Sequence, residues 1–495
     1  MPGTPSRIPI RLLLPLAAGA AVAALVVLSG GSSGKNRSFG LTAAMLPFLA
    51  VLSGSPKRLM IFCFFLLSPV NISYYLFGLT APHIGGAFGL YLVPLDLPLA
   101  GLYALWFWQK AIAKRPPARR SWLLPLLFGV PILASLPSVI GTVNHAWALY
   151  ELIRYLRVLA ILAYFSRNLQ TEDVPLVAAS VAVAVLIQGG MAVLQLATDS
   201  DLRLSAVGIW GPGSGEIFQQ QLSETEMTVR AGGTTGHPVA LGTYFMFMLP
   251  LVASLTLLAG IRRLRLLAGA ALVAGLAGLL ATMTRGTIAA ALLALPLLLA
   301  LWVQRRWINL LGAAVITVWS LVFLAIVGLL VWDVAAKRVG WDIRESYALR
   351  MAQNDAAFRM FVKHPVFGAG INNYTQELPA IDPRLAEDQD YHVGVLVAVH
   401  NLYLLVLAET GIVGFLGFGV CGMGVLIMGY RAARGNPDLP RALAAGLFVG
   451  TIAAAAHGLM EFSMLLDTSM YTYSALAGLL TVIGSSPVLP QNPPR

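Results

Sequence analysis

Apolar runs long enough to cross a membrane recur from one end of this chain to the other, and no other feature constrains its fold as severely. LLLPLAAGAAVAALVVLSGG, LVAASVAVAVLIQGGMAVLQ and INLLGAAVITVWSLVFLAIVGLLVW are three of them. Each can traverse roughly 30 Å of hydrocarbon as a helix. Lipid offers no partner for a backbone amide, so uniform runs of this length predict a helical bundle rather than a barrel. Composition agrees: 58% of the 495 residues are hydrophobic and 11% charged, against about 25% charged in a soluble domain. Mean hydropathy is +0.77. We expect an all-α polytopic membrane protein, a bundle of about 12–14 transmembrane helices. Spans should begin near residues 8, 40, 58, 88, 122, 148, 174, 236, 266, 286, 307, 400, 442 and 468. Those near 40 and 286 are short enough to be re-entrant. Arg7 and Arg11 ahead of an apolar run resemble a signal peptide, but with so many spans following, an uncleaved first helix is expected.

The net charge of +11 does not indicate nucleic-acid binding, because the basic residues form short clusters between spans. With both termini cytoplasmic, SPKR (55–58), KAIAKRPPARR (110–120), RRLR (262–265), QRR (304–306) and RAARGNPDLPR (431–441) all fall inside. Lys35 and Arg37 run against the rule. The two long polar stretches, 199–235 and 333–399, then both face outwards, towards the periplasm in a Gram-negative cell. Within the second, IRESYALRMAQNDAAFRMFVKH has Ile343, Tyr347, Met351 and Phe358 near helical spacing. That predicts an amphipathic helix along the membrane surface or over the bundle mouth. Pro365, Gly368 and Gly370 make the following HPVFGAGINNY a turn or loop. Cys63 and Cys421 lie inside apolar runs, so neither a disulfide framework nor a metal site is suggested. The tail VLPQNPPR reads as disordered.

A protein that merely stays in a membrane needs no long polar loops on one side, whereas one that does chemistry at a membrane face does. Several ionisable residues border these loops. Arg154 and Arg157, three apart, share a helix face about two turns inside a span. They face either a substrate or a structural partner such as Glu151. Arg230 precedes Gly232, Gly233, Gly236 and the helix-starting Pro238. Free amides beside an arginine make an anion site there, or the turn simply connects two elements. His237 reads as a residue of that helix start rather than a catalyst. Arg285 occupies a tight outer turn, TMTRG, and two guanidinium groups at a membrane surface suit a diphosphate. His400 and Asn401 open a span that also carries Glu409, Gly411 and Gly414. Histidine titrates near neutrality and can take a proton from a sugar hydroxyl; a lone histidine at a helix start can equally be a polar cap. Arg350 is a candidate substrate contact, while Arg359 fits a solvated helix face. His457, Glu461 and Asp467 flank the last outer turn and are weaker substrate-contact candidates.

VRAGGTTGHPVALGTYF, TMTRGTIAAALLALPLLL, the stretch from Arg350 through HPVFGAGINNY, and HNLYLLVLAETGIVG occur in the order found in the O-antigen ligase and O-antigen polymerase superfamily, which the chain resembles. The similar core covers 226–430, including the loop 333–399. Residues 1–225 and 431–495 contribute flanking spans similar only in hydropathy. The resemblance implies a metal-independent, inverting glycosyltransferase without cofactors in the bacterial inner membrane. Its donor would be a glycan on undecaprenyl diphosphate, with Arg230 and Arg285 at the diphosphate, Arg154 or Arg157 assisting, and His400 catalytic. The acceptor would be lipid A-core oligosaccharide, with another repeat unit or a protein hydroxyl as alternatives. The long outer loop leaves those alternatives open. A lipid-linked glycan flippase is the competing class, but it favours internal repeats and charges near the midplane, whereas these candidates crowd one face.

Overall fold

The computed structural model describes residues 53–78, 85–111, 121–204, 227–330, 343–387, 396–435 and 438–484, with 40, 42, 45, 46, 49, 50, 209 and 219–221. The expected first span and the C-terminal tail lie outside the described residues, as does most of the span expected at 40. Numbering the described elements in chain order, α1 (Pro56–Leu67) leads to a hairpin of β1 (Tyr74–Gly78) and β2 (Gly89–Leu92), antiparallel with Tyr74 opposite Leu92. Then follow α2 (Asp96–Ala111), α3 (Leu123–Ser135), α4 (His145–Asn168) and α5 (Val174–Thr198). A second small hairpin, β3 (Gln219–Gln221) with β4 (Met227–Val229), precedes α6 (Pro238–Leu258), α7 (Arg262–Ala281), α8 (Arg285–Gln304) and α9 (Leu310–Leu330). The long loop after α9 supplies α10 (Ile343–Lys363) and α11 (Tyr374–Ile381), and α12 (Leu402–Ala432), α13 (Leu439–His457) and α14 (Asp467–Gly484) complete the described elements.

The protein is an all-α multi-pass membrane protein. Among the described residues, six helices are long and apolar enough to cross a bilayer: α5, α6, α7, α8, α12 and α13. The remainder of the expected 12–14 lie outside the described residues, are short or carry charge, as α4 does, apart from α9, an uncharged apolar helix of 21 residues whose side chains are described only in part. The segment at 286 is a full helix of 20 residues, not a re-entrant loop. The span expected near 88 starts later, at Asp96, because Gly89–Leu92 pairs as a strand.

Helix α6 is the hub, with 78% of its apolar window buried. Its neighbours approach closely because they present glycine. A methyl at Gly450 of α13 would stand 2.6 Å from the Phe247 carbonyl oxygen, and one at Gly446 would collide with the Leu251 backbone. This is small-residue packing in a medium where hydrophobicity cannot drive helices together. Buried side chains of α5, α6, α7, α13 and α14 form one large core, while a second, smaller core lies beneath α10 and α11. Ala356, Ala357 and Met360 of α10 meet Tyr374, Leu378, Leu405 and Phe462 there.

A backbone interlock fixes this outer lobe to the bundle. Gly411 breaks α12 with φ 62° and ψ −166°, a conformation essentially restricted to glycine. The break frees the carbonyls of Ala408 and Glu409, which accept from the amides of Ala369 and Gly370 at 2.9 and 3.0 Å. The Ile412 amide donates to the Pro365 carbonyl at 2.9 Å. The turn expected at HPVFGAGINNY therefore forms, and it docks into a kinked span.

Candidate active site

Four separated segments meet at one end of these helices. The first is the turn leading into α6. Arg230 donates from Nε to the Thr282 carbonyl at 3.2 Å, and the Ala231 amide donates to the Ala281 carbonyl. Arg230 is thereby tied to the three-residue turn joining α7 to α8, whose next residue is Arg285. Arg285 is exposed at the first position of α8. The loop's glycines are held from beneath by α5: Gln195 accepts from the Gly232 and Gly233 amides, and Gln188 from the Thr234 amide at 3.0 Å. Sequence reading gave these two glutamines no role, although amides inside an apolar span are the expected signal of such an anchor.

His457 closes α13 and is 4% exposed. It packs beneath the first turn of α8, where a methyl at Gly286 would stand 3.2 Å from its Nε2. Beyond the next turn lies Glu461, 5% exposed. Its carboxylate receives His400 Nδ1 at 3.0 and 3.1 Å and the Phe462 amide at 3.0 Å. Arg350 donates to the Met460 carbonyl at 2.6 Å and approaches Glu461 to 4.0 Å. The Leu402 amide donates to the Gly458 carbonyl, fastening the start of α12 to the same turn. A 2.6 Å hydroxyl contact between Thr243 and Ser463 fastens that turn to α6.

Arg230 thus meets the Thr282 turn that precedes Arg285, His457 lies beneath Gly286 of the same turn, and Glu461 pairs with His400. Electrostatics define the protonation states. Burial alone would raise the Glu461 carboxyl, but the adjoining His400 ring and the Arg350 guanidinium outweigh it and hold the carboxyl down at about 2. Glu461 is therefore an anion at every physiological pH. When the His400 ring is neutral, an anionic acceptor at Nδ1 favours the tautomer with the proton there and the lone pair on Nε2. The imidazole is 28% exposed, so it is accessible at the surface of the protein. His237 caps α6, its Nδ1 accepting from the Val239 amide at 3.1 Å. Burial, with Arg230 nearby, lowers its titration to about 4, while Glu461 and His400 also act on it.

The other expected residues have different positions. Asn401 caps α12, accepting from the Tyr403 and Leu404 amides at 3.1 Å. Arg359 is a solvated-face residue paired with Asp355 and Asp382. Glu409 is a structural partner, accepting from the Tyr374 amide within the interlock. Arg154 and Arg157 are both engaged in ion pairs, Arg154 with Glu151, the structural partner offered by the sequence. Arg154 is bound by Glu151 at 2.5 Å and Asp467 at 3.4 Å. Arg157 is bound by Asp96 at 3.2 Å, the Tyr471 hydroxyl at 2.9 Å and the Tyr91 carbonyl at 2.5 Å. Both guanidinium groups serve a buried ion-pair network that joins α2, α4 and α14. Withdrawing them to bind a diphosphate would strand buried carboxylates.

Glu461 is the residue sequence reading undervalued. It counted only as a weak substrate contact, since nothing in the spacing pairs position 461 with 400. The available signal was a carboxylate on an outer turn, in a chain whose acidic residues are few. Residues 270–419 match the family model described as O-antigen ligase. No curated protein matches the chain.

Proposed function

With an O-antigen ligase superfamily domain at residues 270–419 as the premise, we propose that the protein transfers a glycan from undecaprenyl diphosphate to an acceptor hydroxyl, with inversion. The reaction would occur at the periplasmic face of the bacterial inner membrane, with lipid A-core oligosaccharide as acceptor. The carrying observation is the His400–Glu461 pair, set among cationic side chains at the outer ends of the spans.

The acceptor oxygen attacks the anomeric carbon while its proton passes to His400 Nε2. The bond from that carbon to the diphosphate oxygen breaks, and its electron pair leaves on the diphosphate. Glu461 holds Nδ1–H and stabilises the imidazolium that forms. A positioned general base contributes about 10²–10⁴-fold. Arg285 and Arg230 face the leaving group, and fixed cations in a water-poor site contribute several kcal/mol, the role a metal would otherwise take. Arg350 carries positive charge on the acceptor side, anchored to the Met460 carbonyl. Arg154 and Arg157, considered for the diphosphate on sequence grounds, are left to their ion pairs. His457 supports the Arg285 turn.

The test is reconstitution of the purified protein with a lipid-linked glycan and candidate acceptors. A new glycosidic bond with inverted configuration is the expected product, whereas movement of unchanged donor across the bilayer would indicate a flippase. Glycans of a deletion strain then identify the acceptor: uncapped core supports ligation, and core capped by single repeats would redirect the reading to polymerisation.

A further inference from the structure

The hairpin of β1 and β2 touches both segments that carry the candidate residues, and the functional reading gives it no part. Just before β1, the Asn71 amide donates to the Thr234 carbonyl at 2.9 Å, within the loop from Arg230 to His237. Just before β2, a methyl at Gly85 would stand 2.5 Å from the Ala398 side chain, two residues ahead of His400. The Ala87 amide donates to Glu151 at 3.0 Å, and its carbonyl accepts from Asn372 Nδ2 at 2.5 Å. The hairpin is thereby clamped between the Arg230 loop and the approach to His400.

Those clamps hold a stack of rings. Tyr75 lies on Phe88 with centroids 5.0 Å apart and planes at 22°, and it meets Tyr91, its strand partner, at 5.3 Å. The stack continues into the interior. The Arg157 guanidinium lies over both the Tyr91 and Tyr471 rings, 5.1 and 5.5 Å from their centroids, and Asp467 accepts from the Tyr91 hydroxyl at 2.6 Å. The buried ion pairs thus fix the inner end of an aromatic column whose surface member, Tyr75, is 36% exposed. A register shift between Tyr75 and Phe77 gives Phe77 the partner Leu90. Successive strand residues face opposite ways, so Phe77, 68% exposed, lies on the other face of the hairpin.

We propose that Tyr75, backed by Phe88 and Tyr91, is a stacking subsite for a pyranose ring of the glycan substrate. The proposal rests on the preceding functional reading for the class of ligand. An aromatic face carries partial negative charge, and the face of a pyranose ring that presents C–H bonds is apolar and weakly positive. The sugar hydroxyls lie around the rim and stay free for water or polar side chains. Tyr75 loses little conformational freedom on binding, since it has two side-chain torsions and its neighbours already hold it. Aromatic residues also anchor proteins at a membrane boundary. Here, however, the ring is packed on two others, tied to a buried ion-pair network and clamped to both halves of the candidate site, none of which an anchor requires. A sugar with an axial hydroxyl on the stacking face would fit poorly, so the subsite selects by ring stereochemistry.

Tyr75→Leu removes the ring and keeps apolar bulk, Tyr75→Phe keeps the ring, and Phe77→Leu is the control on the other face. Full-length protein in nanodiscs receives two lipid-free probes in turn. One is the glycan released by mild acid from the cell's polyprenyl diphosphate pool, and the other is the core oligosaccharide released from its lipid A. Aromatic protons are saturated selectively, and transfer to sugar C–H protons is read by NMR. One probe should take up saturation with wild type, Tyr75→Phe and Phe77→Leu, and about tenfold less with Tyr75→Leu. The probe that responds tells donor from acceptor. Saturation that persists in Tyr75→Leu, or reaches neither probe with wild type, would overturn the proposal. Phe88→Leu, which removes the ring stacked on Tyr75, repeats the comparison if Tyr75→Leu does not insert. In transfer assays, Tyr75→Leu should raise KM for the responding glycan about tenfold and leave kcat within about threefold. Equal losses of melting temperature in Tyr75→Leu and Phe77→Leu, with KM unchanged, would overturn the proposal in favour of membrane anchoring. Binding is read without catalysis, so bound glycan without transfer would refute the functional reading and leave the subsite standing.

Discussion

At the residue scale the account turns on Glu461, because a neutral histidine acts as a base only if its proton lies on the other nitrogen. Glu461→Gln keeps size and hydrogen bonding but removes the charge that fixes the tautomer and stabilises imidazolium. We expect kcat to fall about 10²–10⁴-fold with KM little changed, by analogy with removal of the orienting carboxylate from a catalytic triad. Steady-state kinetics with Glu461→Asp as the partial-rescue control checks this, and a change confined to KM would assign Glu461 to substrate binding. His237 gives a pH test. Its folded-state titration lies near 4, against 6.5 for the free side chain. Between those values the unfolded chain holds a proton that the folded chain refuses, so stability decreases as pH falls from 6.5 to 4. His237→Asn keeps a capping side chain and should flatten that slope in melting curves recorded across this range. Glu461 is shifted in the same direction, from 4.5 down to about 2, so its stabilising contribution is likewise lost as pH falls, through that lower window. Sequence singled out His400, Arg230 and Arg285 because ionisable residues at span ends are rare and conspicuous. For Arg154 and Arg157 it offered either a substrate or a structural partner such as Glu151; the further carboxylate partners, Asp96 and Asp467, come from distant helices and leave no mark in the spacing.

At the element scale, a broken span matters as much as the intact ones. The kink at Gly411 opens backbone groups that a continuous helix would have consumed, and the outer loop occupies them. Gly411→Ala forces a side chain into a conformation costing about 1–3 kcal/mol and drives its methyl into the Val366 carbonyl. The loop should detach: limited proteolysis within 364–374 should accelerate at least tenfold while the membrane core stays resistant. Unchanged cleavage would show that the interlock is not what holds the lobe. The helix Ile343–Lys363 was legible from apolar spacing, and the turn after it from Pro365, Gly368 and Gly370. Their docking on Gly411 was not, since a glycine within an apolar run gives no sign of which distant backbone it admits. The hairpin at 74–92 escaped for another reason. A short apolar strand and the start of an apolar helix have no distinguishing period.

At the scale of the whole molecule, the bundle delivers groups from α6, α8, α12 and α13 to one surface, although they are up to 231 residues apart from Arg230 to Glu461. Hydropathy located most of the helices, because a membrane imposes the length and polarity of each span. It could not tell which spans adjoin, since lipid-facing and partner-facing apolar surfaces have the same composition. Gly446 and Gly450, which bring α13 against α6, decide part of that arrangement. If the cations together replace a metal, Arg285→Ala should cost about 10²–10³-fold in kcat, the size seen when one fixed donor to a developing charge is removed. Added Mg²⁺ should not restore it. Expression and membrane insertion should be normal, because Arg285 is exposed and its loss opens no core. The most direct measurement is the initial rate of glycan transfer by purified protein in EDTA, wild type against His400→Ala. The account predicts undiminished turnover for the wild type and a loss of at least 10²-fold for the variant. A variant that turns over within threefold of wild type would contradict the assignment of His400 as base.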